Sequence, residues 1–233
     1  MATIEGNIQQ VHARIAAACR TALRPVQSVT LLVVSKTFTA RCVRDAFTAG
    51  EHQFGENYVQ EGIDKIDQLS DIRDQLQWHL IGPLQSNKTR VVAQHFDWVH
   101  SVDRFKTAQR LSDQRPHHLP PLQICLQVNV SGETSKSGFA PHELPQAAQQ
   151  IASLPRLELR GLMSIPEPSS SLTVQRASHR SLRLLLEQLK ADGLTLDTLS
   201  MGMSADLEAA IAEGATLVRI GTAIFGGRTA ATA

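Results

Sequence analysis

Lys36 ends the run VTLLVVSK at residues 29–36, a stretch of apolar and mostly β-branched residues with the form of a buried strand. An amine held at the apolar end of a strand loses hydration, which disfavours the ammonium form and makes the nitrogen available to attack carbonyls. The competing reading is a lysine that snorkels to water, as single lysines after strands commonly do. Two later segments could face this amine with an anion site. SMGMSAD at 200–206 leaves a strand, passes Gly202 and enters a helix expected to begin near Ser204, and RIGTAIFGGR at 219–228 puts Gly221 and Thr222 just beyond another strand. Backbone N–H groups, hydroxyls and a missing Cβ are what a phosphate needs. Tight turns and an ordinary serine cap are the alternative. An amine opposite a phosphate cradle suits a phosphorylated aldehyde.

Positioning these groups requires a scaffold that gathers strand ends. Hydrophobic periodicity gives strands over 28–35, 52–55, 77–81, 97–101, 122–130, 157–163, 197–201 and 216–220. Amphipathic helices are expected between them at 41–49, 57–69, 86–95, 104–114, 141–153, 172–192 and 204–213, with an additional helix at 3–21. Eight strands separated by seven helices predict a single α/β domain over 1–233: a TIM-type (β/α)8 barrel with an additional N-terminal helix and a loose tail at 227–233. A doubly wound open sheet competes, but no G-x-G-x-x-G follows the first strand. Barrels hold ligands at the carboxyl ends of their strands. Those ends carry Lys36, Glu56 and Asn57, His79, Asn87 and Lys88, Asn129, Ser131, Lys136 and Ser137, and Met163 and Ser164.

Composition narrows the function classes. The 233 residues hold 23 basic and 22 acidic side chains, a net charge of +1, so no global field favours nucleic acid or an anionic membrane. No apolar stretch approaches a bilayer-spanning length, and the amino terminus has a glutamate where a signal peptide needs an apolar core; a cytoplasmic chain is expected. Cys19, Cys42 and Cys125 are widely spaced and are expected to be reduced and at least half-buried. The adjacent pair His117 and His118 lies in a proline-flanked loop, a poor setting for a metal, and no metal site is expected.

Seven segments then carry a resemblance: VVSKT at 33–37, FGENYVQE at 54–61, WHLIGPLQSNK at 78–88, VNVSGETSKSG at 128–138, GLMSI at 161–165, SMGMSAD at 200–206 and RIGTAIFG at 219–226. In this order they resemble the pyridoxal phosphate homeostasis proteins, relatives of the amino-terminal barrel of alanine racemase. The resemblance implies pyridoxal 5'-phosphate (PLP) as cofactor, with Lys36 as the Schiff-base residue, Asn57 and His79 beside the cofactor, and Met163 among the cofactor-binding residues. It further implies that Ser204, Gly221 and Thr222 hold the phosphate and that Arg219 approaches the pyridine nitrogen. Lys136 matches a second lysine associated with cofactor occupancy or transfer.

A guanidinium can only donate, so a pyridine nitrogen opposite Arg219 would accept and stay unprotonated, which weakens the ring as an electron sink. Two-base racemisation needs an acid/base group on each ligand face. In alanine racemase the second is a tyrosine from an additional β-domain, whereas this sequence stops at Ala233 and its sole tyrosine, Tyr58, reads as structural. The reading favoured is a non-catalytic, monomeric PLP carrier acting in vitamin B6 homeostasis and amino-acid and keto-acid balance, with PLP-dependent apo-enzymes as possible recipients. A weak racemase or lyase is the alternative. A Schiff-base aldolase acting on a sugar phosphate fits the lysine and the anion site taken alone, but such lysines generally lie on a late strand.

Overall fold

A computed structural model describes residues 3–131 and 137–226. Eight parallel strands close on themselves in sequence order. They are β1 (Thr30–Val34), β2 (Gln53–Glu56), β3 (Gln77–Leu80), β4 (Trp98–Val102), β5 (Leu122–Gln127), β6 (Leu157–Met163), β7 (Thr198–Ser200) and β8 (Leu217–Ile220). The helices are α1 (Ile4–Thr21), α2 (Ala40–Thr48), α3 (Val59–Gln68), α4 (Thr89–His95), α5 (Phe105–Gln114), α6 (Leu144–Ala152), α7 (Leu172–Ala191), α8 (Leu207–Ala212) and α9 (Thr222–Phe225). The expected barrel and its leading helix are therefore present.

Strand alternation divides the apolar residues into two layers. Val33, Phe54, Trp78, Leu80, Val99, Ile124, Leu162, Leu199 and Val218 join the helices in the main core. Leu32, Val34, Ile81 and Leu217 form a second, smaller cluster. The register sets Leu32 beside Arg219 and Gly55 beside His79, so polar and apolar residues share that second layer. Gly55 keeps that layer close-packed: a Cβ would stand 3.2 Å from Ile81 Cδ1 and from Leu32 Cδ2, so those side chains would have to give way.

Helix α1 starts at Thr3, whose side chain accepts the Gly6 N–H at 3.1 Å, and buries Ile8, Val11, Ile15 and Cys19 at helical spacing. It packs on α8 and α9 and fastens the strand ends beneath them. Asn7 Nδ2 donates to Ile224 O at 2.7 Å, and Arg14 Nη2 donates to Ser204 O at 3.1 Å while pairing with Glu208.

Two sequence expectations need correction. The helix expected at 204–213 starts only at Leu207, because Asp206 accepts the Met203 N–H at 2.6 Å and folds 203–206 into a turn. Ser204 is therefore a turn residue and not a helix cap. The strand expected over 122–130 ends at Gln127, after which only Val128 makes an isolated bridge, to Phe139. Helix α9 was not foreseen.

Candidate active site at the carboxyl rim

The ends of β1, β2, β3, β6, β7 and β8 enclose a cavity of about 310 Å³. That is within the size range of small-molecule sites, roughly 300–1,000 Å³. Its apolar wall is Val34, Phe38, Ile81, Ile165 and Met203, and its polar groups include Lys36, Asn57, Ser204, Arg219 and Thr222. Lys36 is half-buried, two residues past Val34 at the end of β1. Gly221 leaves β8 close to β1; a Cβ there would sit 2.8 Å from Val34 O. The donors thus comprise one amine, one guanidinium, one amide and the hydroxyls of Thr37, Ser204 and Thr222 around a slot with aliphatic and aromatic walls, which can take a flat anionic molecule with a carbonyl.

Arg219 is 5% exposed. Its Nη1 donates to Ser200 O at 2.6 Å and Ser200 Oγ at 2.8 Å, and its Nη2 to Ser164 O at 2.9 Å. Burial pulls its pKa down to about 10, opposed by the charge of Asp206, so the guanidinium remains a cation at neutral pH. Ser200 Oγ meets His100 Nδ1 at 2.8 Å, and His100 Nε2 meets His79 Nδ1 at 2.9 Å. The arrangement that keeps the Ser200 hydroxyl hydrogen bonded has it accept from Arg219 and donate to His100 Nδ1. His100 then donates through Nε2 to His79 Nδ1. Both imidazoles must be neutral for this, and both are: burial pushes His79 to about 3, and burial, helped by the charge of Arg219, holds His100 well below its ordinary value.

The turn bearing Ser204 is braced from α7. His179, fully buried, meets Asp206 Oδ2 at 3.0 Å, while Asp206 Oδ1 takes the Met203 N–H. Burial alone would raise the Asp206 pKa, but the bonds from His179 and Met203 outweigh it and hold the carboxyl below its usual range.

The alanine racemase N-terminal domain family matches residues 7–229. The pyridoxal phosphate homeostasis protein of Pseudomonas aeruginosa is 60% identical over 228 residues, covering 98% of this chain and 97% of its own. The chain belongs to the pyridoxal phosphate homeostasis protein family. A family member from Escherichia coli K12 is 52% identical, with 98% of each chain covered. The structure of PipY from Synechococcus elongatus with PLP bound matches at a TM-score of 0.79 and 39% identity, covering 92% of this chain and all of that one (100%).

Of the residues that the resemblance to this family singled out, Lys36, Asn57, Ser204, Arg219, Gly221 and Thr222 line one cavity. His79 and Met163 do not line it; both are fully buried. A chain of hydrogen bonds through His100 and Ser200 connects His79 to Arg219 at the cavity. Lys136 and the tail at 227–233 lie outside the described residues. Tyr58 is 60% exposed and does not line the cavity. The sequence reading missed Val34 and Ile81, which strand alternation from Lys36 and His79 could have given. It also missed Phe38, Met203 and the Ser200–His100 link, which carry no local signal.

Proposed function

We propose that this family member binds PLP as a Schiff base on Lys36 and serves intracellular vitamin B6 homeostasis as a carrier rather than a catalyst. The observation that carries the reading is the meeting of an amine, a buried guanidinium and two hydroxyl-bearing strand ends in one cavity. Lys36 would supply the amine to which the cofactor's aldehyde could bond, one water being released. Ser204, Thr222 and the open backbone at Gly221 suit the phosphate, and Asn57 can hydrogen-bond the ring substituents. The bound cofactor would supply a reversible carbonyl electrophile. The relatives' name and the PLP-bound cyanobacterial structure support the same ligand.

The carrier reading draws on the cavity's titratable groups. Among the described residues that line it, those groups are Lys36 and Arg219, and a guanidinium does not accept protons. His79, although an imidazole, is withdrawn behind two other side chains and held neutral. The proposal extends to a cytoplasmic monomer that hands PLP to apo-enzymes, with Lys136 acting in occupancy or transfer. The visible spectrum of the purified protein before and after borohydride reduction, with peptide mass mapping, tests the ligand. A yellow band that bleaches and leaves a pyridoxyl mass on Lys36 is expected; a protein that stays colourless and unmodified with added PLP would sink the reading. Loss of chirality from D- or L-alanine at enzymatic rates would replace the carrier with a racemase.

A further inference from the structure

Lys36 sits on a turn that is costly for its sequence. The Phe38 N–H donates to Ser35 O at 3.0 Å, closing a turn whose central residues are Lys36 and Thr37. Thr37 has φ 68°, at the turn position where glycine or asparagine is favoured. A β-branched residue in the left-handed region is an outlier that persists only when its surroundings impose it.

The surroundings are a polar cluster from β2 and α3. The Thr37 N–H donates to Glu61 Oε1 at 2.5 Å. Lys65, 3% exposed, donates to the same Glu61 oxygen at 2.7 Å, to Glu56 Oε1 at 2.6 Å and to Ser35 O at 2.6 Å. Ser35 Oγ donates to Glu56 Oε1 at 2.6 Å. The cluster therefore grips the residues immediately before and after Lys36. An ammonium has three donors, and those of Lys65 are matched by three acceptors, so Lys65 is not a competing nucleophile. Buried ion pairs are a poor source of stability compared with apolar packing, which directs attention to what this one holds.

We propose that Glu61, backed by Lys65 and Glu56, is a positioning residue that imposes the left-handed turn at Thr37 and so aims the Lys36 amine into the cavity. The inference rests on Lys36 being the PLP anchor.

The test uses the full chain and two ligands: PLP, and pyridoxine 5'-phosphate, whose alcohol cannot condense with an amine. Glu61→Ala is expected to weaken PLP binding about tenfold while changing pyridoxine 5'-phosphate binding less than about twofold. Glu61→Gln keeps an oxygen for the Thr37 N–H and should recover most of the loss. Thr37→Gly in the Glu61→Ala background should recover it too, because glycine adopts this φ freely. Equal loss of both ligands, or undiminished PLP binding in Glu61→Ala, would overturn the proposal. If the native protein captures no PLP, the anchor reading is what fails. The device is then judged by the acylation rate of Lys36 under a small reagent, mapped by mass; a rate unchanged in Glu61→Ala overturns it, and a severalfold change supports it.

Discussion

Arg219 Nη1 donates to Ser200 at two points, the carbonyl oxygen at 2.6 Å and the hydroxyl at 2.8 Å. The cation in the cavity is thus oriented by neutral oxygens on the strand next to its own, with Ser164 O as a third acceptor. No carboxylate is hydrogen-bonded to it among the described residues, which leaves its charge available to a ligand.

Arg219→Lys keeps the charge but loses the fork. An ammonium cannot reproduce the separate bonds to Ser200 and Ser164, so a buried carbonyl is left short of a donor. The expected destabilisation is about 1–3 kcal/mol, read by urea unfolding at neutral pH. Unchanged stability would mean that water or another donor reaches those oxygens.

Acid should unfold the protein partly through its buried imidazoles. The folded pKa of His79, about 3, lies below its ordinary 6.5. Stability is therefore full above about pH 6.5 and falls as pH drops toward 3, since the unfolded chain gains a proton that the folded chain excludes. One such imidazole gives a slope of about 1.4 kcal/mol per pH unit, and His100 steepens it. Urea midpoints at about pH 7.5 and about pH 5 should differ accordingly, and His79→Phe should shrink the difference. An equal pH dependence in the variant would remove His79 from the account.

Gly202→Ala should fail twice over. Gly202 has φ 95°, and an added Cβ would lie 2.5 Å from Ala210 Cβ. Backbone strain and collision together predict a loss of about 2–4 kcal/mol, visible as a lower melting temperature. Gly50, also at positive φ but in open space, provides the control: Gly50→Ala should cost less.

Asp206→Ala removes the acceptor of the Met203 N–H and the partner of His179. The turn carrying Ser204 loses its brace, and affinity for pyridoxine 5'-phosphate should fall about tenfold by calorimetric titration. Asp206→Asn keeps an oxygen for one bond and should fall between the two. Equal affinities across the three proteins would show that α7 does not support this turn.

The sequence by itself determined the barrel and most of its rim. Runs such as TLLVV in β1 and the leucine spacing in α7 are local patterns, and eight of the first alternating with helices leaves few ways to bury every face. The motif order also yielded Lys36, Asn57, Ser204, Gly221 and Thr222, which follow strands whose ends share one rim, and the resemblance added Arg219, which lies within β8. Only the tertiary structure decided what stands between those residues. Ser200 and His100 are 100 positions apart and meet because closure brings β7 and β4 to one interior. His79 reads as a cavity residue from its place in β3, yet it is fully buried against Trp98 and His100. Thr37 looks like any residue after a strand, and its left-handed φ depends on Glu61, 24 positions away. Local pattern reports which way a side chain alternates; partners distant in sequence fix its hydrogen bonds, its protonation and its backbone strain.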